Sequence, residues 1–165
     1  MKLAETSYDN SETGCCARLA WAKWADREVE WNGKPFLKDH IRALMHVPVN
    51  MASVLGRDQK AIENAAAYPE DPIWLSDEVS PWRSEVYIAV DHPVAGTETV
   101  ELSGKFLTKA FQGPFRDAGK WIKAMNEYVA TKGLETKKNF FFYASCPKCA
   151  KQFGENRVVL FAQVA

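Results

Sequence analysis

Residues 104–164 decide the reading: GKFLTKAFQGPF (104–115), RDAGKWIKAMNEYVATKGLE (116–135), NFFFYAS (139–145), CPKCAKQFGEN (146–156) and RVVLFAQV (157–164). Phe106 to Phe111 predicts a strand, and Gly113-Pro114 breaks it. Arg116 to Thr131 predicts a helix, because Phe115, Ala118, Trp121, Ile122, Met125 and Val129 form one apolar stripe at helical spacing. Lys132-Gly133 is a C-terminal stop. Phe140–Ser145 and Val158–Val164 then predict a closing hairpin, with a cysteine knuckle between them.

Working outward, the earlier half carries the same layout. Arg27–Trp31 predicts a strand, Asn32-Gly33 a hairpin turn, and a second strand follows from about Phe36 to Val47, where Pro48 stops it. MASVLGRDQKAIENAAA (51–67) predicts a helix with Met51, Val54, Leu55 and Ile62 on its apolar face and Asn50 as cap. Ile73–Leu75 is a short strand, SDEVSPW (76–82) a turn and Glu85–Val90 a clear strand; residues 91–103 read as a link. Pro48 and Pro114 correspond, and each half runs β-α-β-β. The expected fold is therefore α+β: two β-α-β-β repeats, about 27–91 and 104–164, forming one antiparallel-rich curved sheet with two helices on one face. A ligand groove is expected between the halves.

At 165 residues the chain suits one domain, 15–165, preceded by a polar and flexible stretch, 1–14. Lys plus Arg equals Asp plus Glu at 21 each, which argues against a nucleic-acid footprint. MKLAETSYDNSETG lacks the apolar core of a signal peptide, and no apolar run reaches the roughly 18 residues of a spanning helix. The expectation is a cytoplasmic protein, monomer or homodimer, with no membrane and no nucleic-acid partner. Walker, GxGxxG, HExxH and GxSxG motifs are absent from the sequence, so nucleotide hydrolysis, dinucleotide binding and the common serine-hydrolase route lack support.

The candidate site begins with period-2 alternation in residues 85–90. Glu85, Tyr87 and Ala89 share one face; Val86, Ile88 and Val90 take the other and pack on the helices. A carboxylate and a phenol thus meet on the face assigned to the groove. They suit binding of a cationic ligand, or general base and acid roles in hydrolysis; the plain alternative is a glutamate at a strand end in water. Trp74, Trp82, Phe111, Phe142 and Tyr143 are candidate flat walls for a small organic ligand, although alternation sends Phe142 and Tyr143 to opposite faces. His46 is a candidate base. Cys146-Pro147-Lys148-Cys149 has the form of half a zinc site, with Cys15 and Cys16 as the further thiols; plain thiols and a redox pair are the other readings. Zinc would staple the N-terminus to the last hairpin, in which case the chain is an interaction domain.

The strand, Gly113-Pro114-Phe115 and the helix with Trp121 resemble the GyrI-like, effector-binding family. More narrowly, Gly14-Cys15-Cys16, the CPKCAK knuckle and the VVLFAQV strand resemble a group of small stand-alone proteins that often carry the label hydrolase. The resemblance spans roughly residues 14–165. It implies binding of small organic molecules, often flat, apolar and cationic; some stand-alone relatives hydrolyse reactive cyclopropane-bearing toxins. No helix-turn-helix precedes the fold, so a transcription activator is not expected.

Overall fold

The computed structural model describes residues 24–45, 47–69, 73–143 and 156–165. In chain order these form β1 (Glu28–Leu44), β2 (Val47–Pro48), α1 (Met51–Ala65), β3 (Trp74–Ser80), β4 (Arg83–Ala89), β5 (Glu98–Gly113), a 3-10 turn (Phe115–Asp117), α2 (Ala118–Thr131), β6 (Thr136–Tyr143) and β7 (Asn156–Val164). The chain is thus α+β, with two described helices and antiparallel strand pairs. It divides into two compact units, Asn32–Ser103 and Met1–Trp31 with Gly104–Ala165.

In the Asn32–Ser103 unit β1 pairs with β4 from Phe36↔Ala89 to Arg42↔Arg83, and β4 pairs with β3 from Trp74↔Ile88 to Ser80↔Arg83. Alternation along these strands sends Leu37, Ile41, Val86 and Ile88 to one side, where α1 covers them with Val54 and Ile62. Phe36, Lys38, Glu85 and Tyr87 point the other way. The helix ends where Ala66 adopts φ 50, with Ala66 N–H bonded to Glu63 and Ala67 N–H to Ile62. That is a Schellman closure with alanine in the position glycine usually takes. Asn50 stands at the N-cap, but its side chain makes no capping bond; Oδ1 accepts instead from the Arg42 N–H at 2.8 Å and ties the helix start to β1.

In the second unit β7 lies between β5 and β6. Trp121, Met125 and Val129 of α2 pack on Leu107, Phe141, Val158, Leu160 and Ala162. Gly133 (φ 72) and Leu134 close this helix onto Ala130 and Val129 in the same Schellman pattern. The opposite strand face is aromatic: Trp24 and Trp31 lie 5.0 and 5.9 Å from Phe161, and Trp31 lies 4.6 Å from Phe106. Buried Thr108 hydrogen-bonds the Trp24 carbonyl and holds the turn before β1.

Both helices and the β6–β7 hairpin stand where the sequence places them. Three expectations fail. Asn32-Gly33 makes no hairpin: Gly33 takes φ 68 inside one continuous strand and its N–H donates to Ser103 Oγ at 2.7 Å, so the left-handed residue is absorbed without reversing the chain. The span 76–82 is mostly strand; only Pro81-Trp82 turn, because pairing with β4 continues to Ser80↔Arg83. The link is shorter than 91–103, since β5 already begins at Glu98.

Candidate functional site

Antiparallel pairing sets Lys38 beside Tyr87 and His40 beside Glu85 on β1 and β4. On the face away from α1, Tyr87 Oη donates to Glu85 Oε2 at 3.2 Å. Lys38 Nζ and Arg83 Nη2 each lie 3.5 Å from the Glu85 carboxylate, and Lys38 also stands 5.8 Å from the Tyr87 ring centre. Phe36 meets the Tyr87 ring edge-on at 6.5 Å. Burial, then the charges of Glu85 and Asp77, push the Tyr87 phenol well above its ordinary value. It therefore stays protonated at neutral pH and remains a hydrogen-bond donor. The two polar residues expected to share a face do meet.

A second constellation lies on the α1 side. Asp39 sits between Leu37 and Ile41 on β1, and Asp58 between Val54 and Ile62 on α1. Arg57 Nη2 contacts Asp39 Oδ2 at 2.7 Å and the His40 N–H donates to Asp39 Oδ1 at 2.8 Å. Arg57 Nε reaches Asp58 Oδ1 only at 4.0 Å. Burial, reinforced by the hydrogen bond and charge of Asp39, pushes Asp58 up to about 7. Burial also opposes ionisation of Asp39, but hydrogen bonds from Arg57, Asp58 and the His40 amide outweigh it and hold that carboxyl below its usual range. Two adjacent carboxyls thus share one proton near neutrality, and the proton resides on the residue without the guanidinium.

Sequence reasoning missed this pair. The signal was present: Asp58 falls on the 54–58–62 line, which α1 buries, and Asp39 falls on the Leu37–Ile41 side of its strand. An acid on an apolar stripe marks a buried ionisable group.

The other candidates are dispersed. Trp74 packs against the Ile41, Val54 and Val86 cluster under α1. Trp82 is exposed in the β3–β4 turn. Phe111 stacks on Trp121 at 6.0 Å, and Phe142 is buried against Phe161. Tyr143 ends β6, but its side chain lies outside the described residues, as do His46, Cys15, Cys16, Cys146, Cys149 and residues 1–14. Among the described residues no cluster of three or more His, Cys, Asp or Glu forms a metal site, and no helix is long and apolar enough to cross a membrane.

Mainly antiparallel strand pairs covered by single helices define an α+β class that several solved structures share. A hydrolase from Listeria innocua superposes with a TM-score of 0.60 at 13% identity, covering 86% of this chain and 92% of its own. The EcmrR C-terminal domain gives 0.59 at 10%, covering 84% and 96%. SAV2435 bound to tetraphenylphosphonium gives 0.50 at 11%, covering 85% and 93%. At these identities the likeness is one of fold. In sequence, the family model described as bacterial hydrolase matches residues 6–164, and the chain belongs to that family. Comparison with the curated proteins gives no match. The GyrI-like resemblance is compatible with these neighbours; the knuckle that marks the narrower group lies outside the described residues.

Proposed function

We propose that the chain binds a small organic molecule, with Glu85 and Tyr87 as its polar anchors. The reading takes the two units as versions of one β-α-β-β module. The observation that supports it is the 3.2 Å phenol–carboxylate pair on the strand face turned away from α1, where Tyr87 is buried. A carboxylate flanked by cations and a phenol whose hydroxyl donates to it give a ligand two oriented acceptor oxygens, which is how mostly apolar sites fix orientation. Trp82, exposed at the end of the same strand pair, is available as a flat contact. Tetraphenylphosphonium, the cation in one structural neighbour, is the first probe. Its binding is expected to quench tryptophan fluorescence, and Glu85→Gln to weaken it by about tenfold, ~1.4 kcal/mol. Unchanged affinity in that variant would remove Glu85 from the site.

The family description favours a second reading, a hydrolase acting on a hydrophobic or reactive organic compound. Here Glu85 would take a proton from water, and Tyr87, released from its hydrogen bond as that carboxyl becomes protonated, would turn its O–H to the oxygen that gains charge. Glu85→Gln would then keep ligand affinity and lose turnover of an activated ester or strained-ring substrate. Loss of affinity with no turnover in the parent chain leaves the binder.

A further inference from the structure

Among the described residues five large apolar side chains are exposed, and four of them, Leu44, Met45, Val49 and Trp82 at 55–66%, stand at one end of the Asn32–Ser103 unit. Backbone hydrogen bonds hold that end together: the Ala43 N–H donates to the Trp82 carbonyl at 2.8 Å, and the Val49 N–H to the Arg42 carbonyl at 3.0 Å. β1 and β2 pair Leu44 with Val47, so the chain reverses there and Met45 stands at the tip. Met45 has φ 50, a left-handed turn position that ordinarily takes Asn or Gly. A methionine is unfavourable there on backbone grounds, and its exposed side chain adds little packing to the fold.

The charges at this end are of one sign. Residues 40–57 and 79–84 contain no Asp or Glu, and their permanently charged side chains are Arg42, Arg57 and Arg83. Arg57 is committed to Asp39 at 2.7 Å. Arg42 and Arg83, both exposed, are direct cross-strand partners and so share the face turned away from α1. Like charges set opposite each other destabilise a strand pair. Arg83 is offset by Glu85 at 3.5 Å, whereas Arg42 has no ion pair among the described residues. An apolar tip with two cations behind it suits a partner that is anionic at its surface and apolar beneath. Four side chains fall far short of the roughly 20–30 residues a side of a stable protein interface, and a second copy meeting this end would bring another Arg42–Arg83 pair to the contact.

We propose that this end of the unit docks reversibly on a bilayer surface containing anionic phospholipid. Leu44, Met45, Val49 and Trp82 enter the boundary between headgroups and acyl chains, and Arg42 and Arg83 meet the lipid phosphates and carboxylates. A guanidinium fork matches phosphate oxygens bidentately, and the anion relieves the repulsion between the two arginines. The expectation of no membrane partner came from the lack of a spanning apolar run, which bears on crossing a bilayer and not on docking to its surface.

The test is co-sedimentation of the full chain with vesicles of phosphatidylcholine, alone or with about 30% phosphatidylserine. Partition onto the anionic vesicles should exceed that onto the neutral ones by about tenfold and fall as salt rises from about 0.1 to 0.5 M. Arg42→Gln should weaken it by about fivefold and Met45→Asn by about tenfold. Asn suits the left-handed turn, so Met45→Asn should keep or raise the urea midpoint of the parent chain. Tyr68→Ser, an exposed apolar position outside this end, should change nothing. Four results would overturn the proposal: no partition onto anionic vesicles, equal partition onto both compositions, Met45→Asn partitioning like the parent, or displacement by free glycerophosphoserine. So would a dimer in sedimentation equilibrium that Met45→Asn dissolves while vesicles bind neither chain. Trp82, offered above to a ligand, is left unaltered. Arg42→Gln and Met45→Asn should keep the parent affinity for tetraphenylphosphonium, and Glu85→Gln should not weaken vesicle partition, so the Glu85 reading and this one fail separately.

Discussion

α2 presents Trp121, Met125 and Val129 to its strands, four residues apart, and all three are apolar and buried. α1 presents Val54, Asp58 and Ile62 at the same spacing and burial, with an acid in the middle. Under α2 the core is one continuous cluster running from Leu107 to Val164. Under α1 it is split: Ile41, Val54 and Val86 form one cluster, Leu37, Ile62 and Val90 another. Asp39 and Asp58 occupy the intermediate positions on both β1 and α1. Helical spacing decides which residues are buried; the chemistry at the middle position decides whether the interface is one apolar cluster or two divided by a pair of acids. The unit with the interrupted interface holds both polar constellations, Glu85 with Tyr87 and Asp39 with Asp58.

The sharpest way to break this comparison is to empty the filled side. Met125 is fully buried, and Met125→Ala should cost about 2–5 kcal/mol in urea unfolding. A loss below ~1 kcal/mol would show that the α2 interface is no better packed than its counterpart.

The next effect lies in the acid pair and depends on pH. Asp58 has its folded pKa raised above the unfolded one, so the stability it contributes is complete below about pH 4 and is lost as pH rises through about 7. Asp39 is lowered and acts with the opposite sign: its contribution is present above about pH 4 and is lost on acidification. Asp58→Asn should therefore flatten the decline between about pH 4 and 7 and leave the protein more stable than its parent at about pH 8, by at least ~1 kcal/mol. Parallel pH profiles for variant and parent would mean that the two carboxyls do not share a proton.

The smallest expected effects concern the helix ends. Both helices close through a left-handed residue, Gly133 after α2 and Ala66 after α1. Gly133→Ala should cost about 1 kcal/mol, and Ala66→Gly should gain about 0.5 kcal/mol, both read from thermal unfolding. Equal and opposite shifts would show that the two closures differ only in side chain.

Legibility followed the range of the interaction. The α2 stripe and the Lys132-Gly133 stop are local, so residues 116–133 announced their helix with its end. Glu85 and Tyr87 were placed together because two residues apart on a strand share a face whatever the strand pairs with. Asn32-Gly33 misled because the dipeptide specifies a left-handed residue and not a reversal; whether the chain turns depends on the strand alongside, here through Ser103. The span 76–80 was taken for a turn because Ser, Asp and Glu are poor strand formers in isolation, and pairing with β4 overrode that preference.

The amino-acid order alone determined the two helices, the closing hairpin and the faces of β4, since periodicity and breakers act within a few residues of chain. Only the tertiary structure decided that Asp39, nineteen residues before Asp58, comes to share a proton with it. Two carboxyls influence each other through distance and desolvation, and neither quantity exists until strand and helix are packed together.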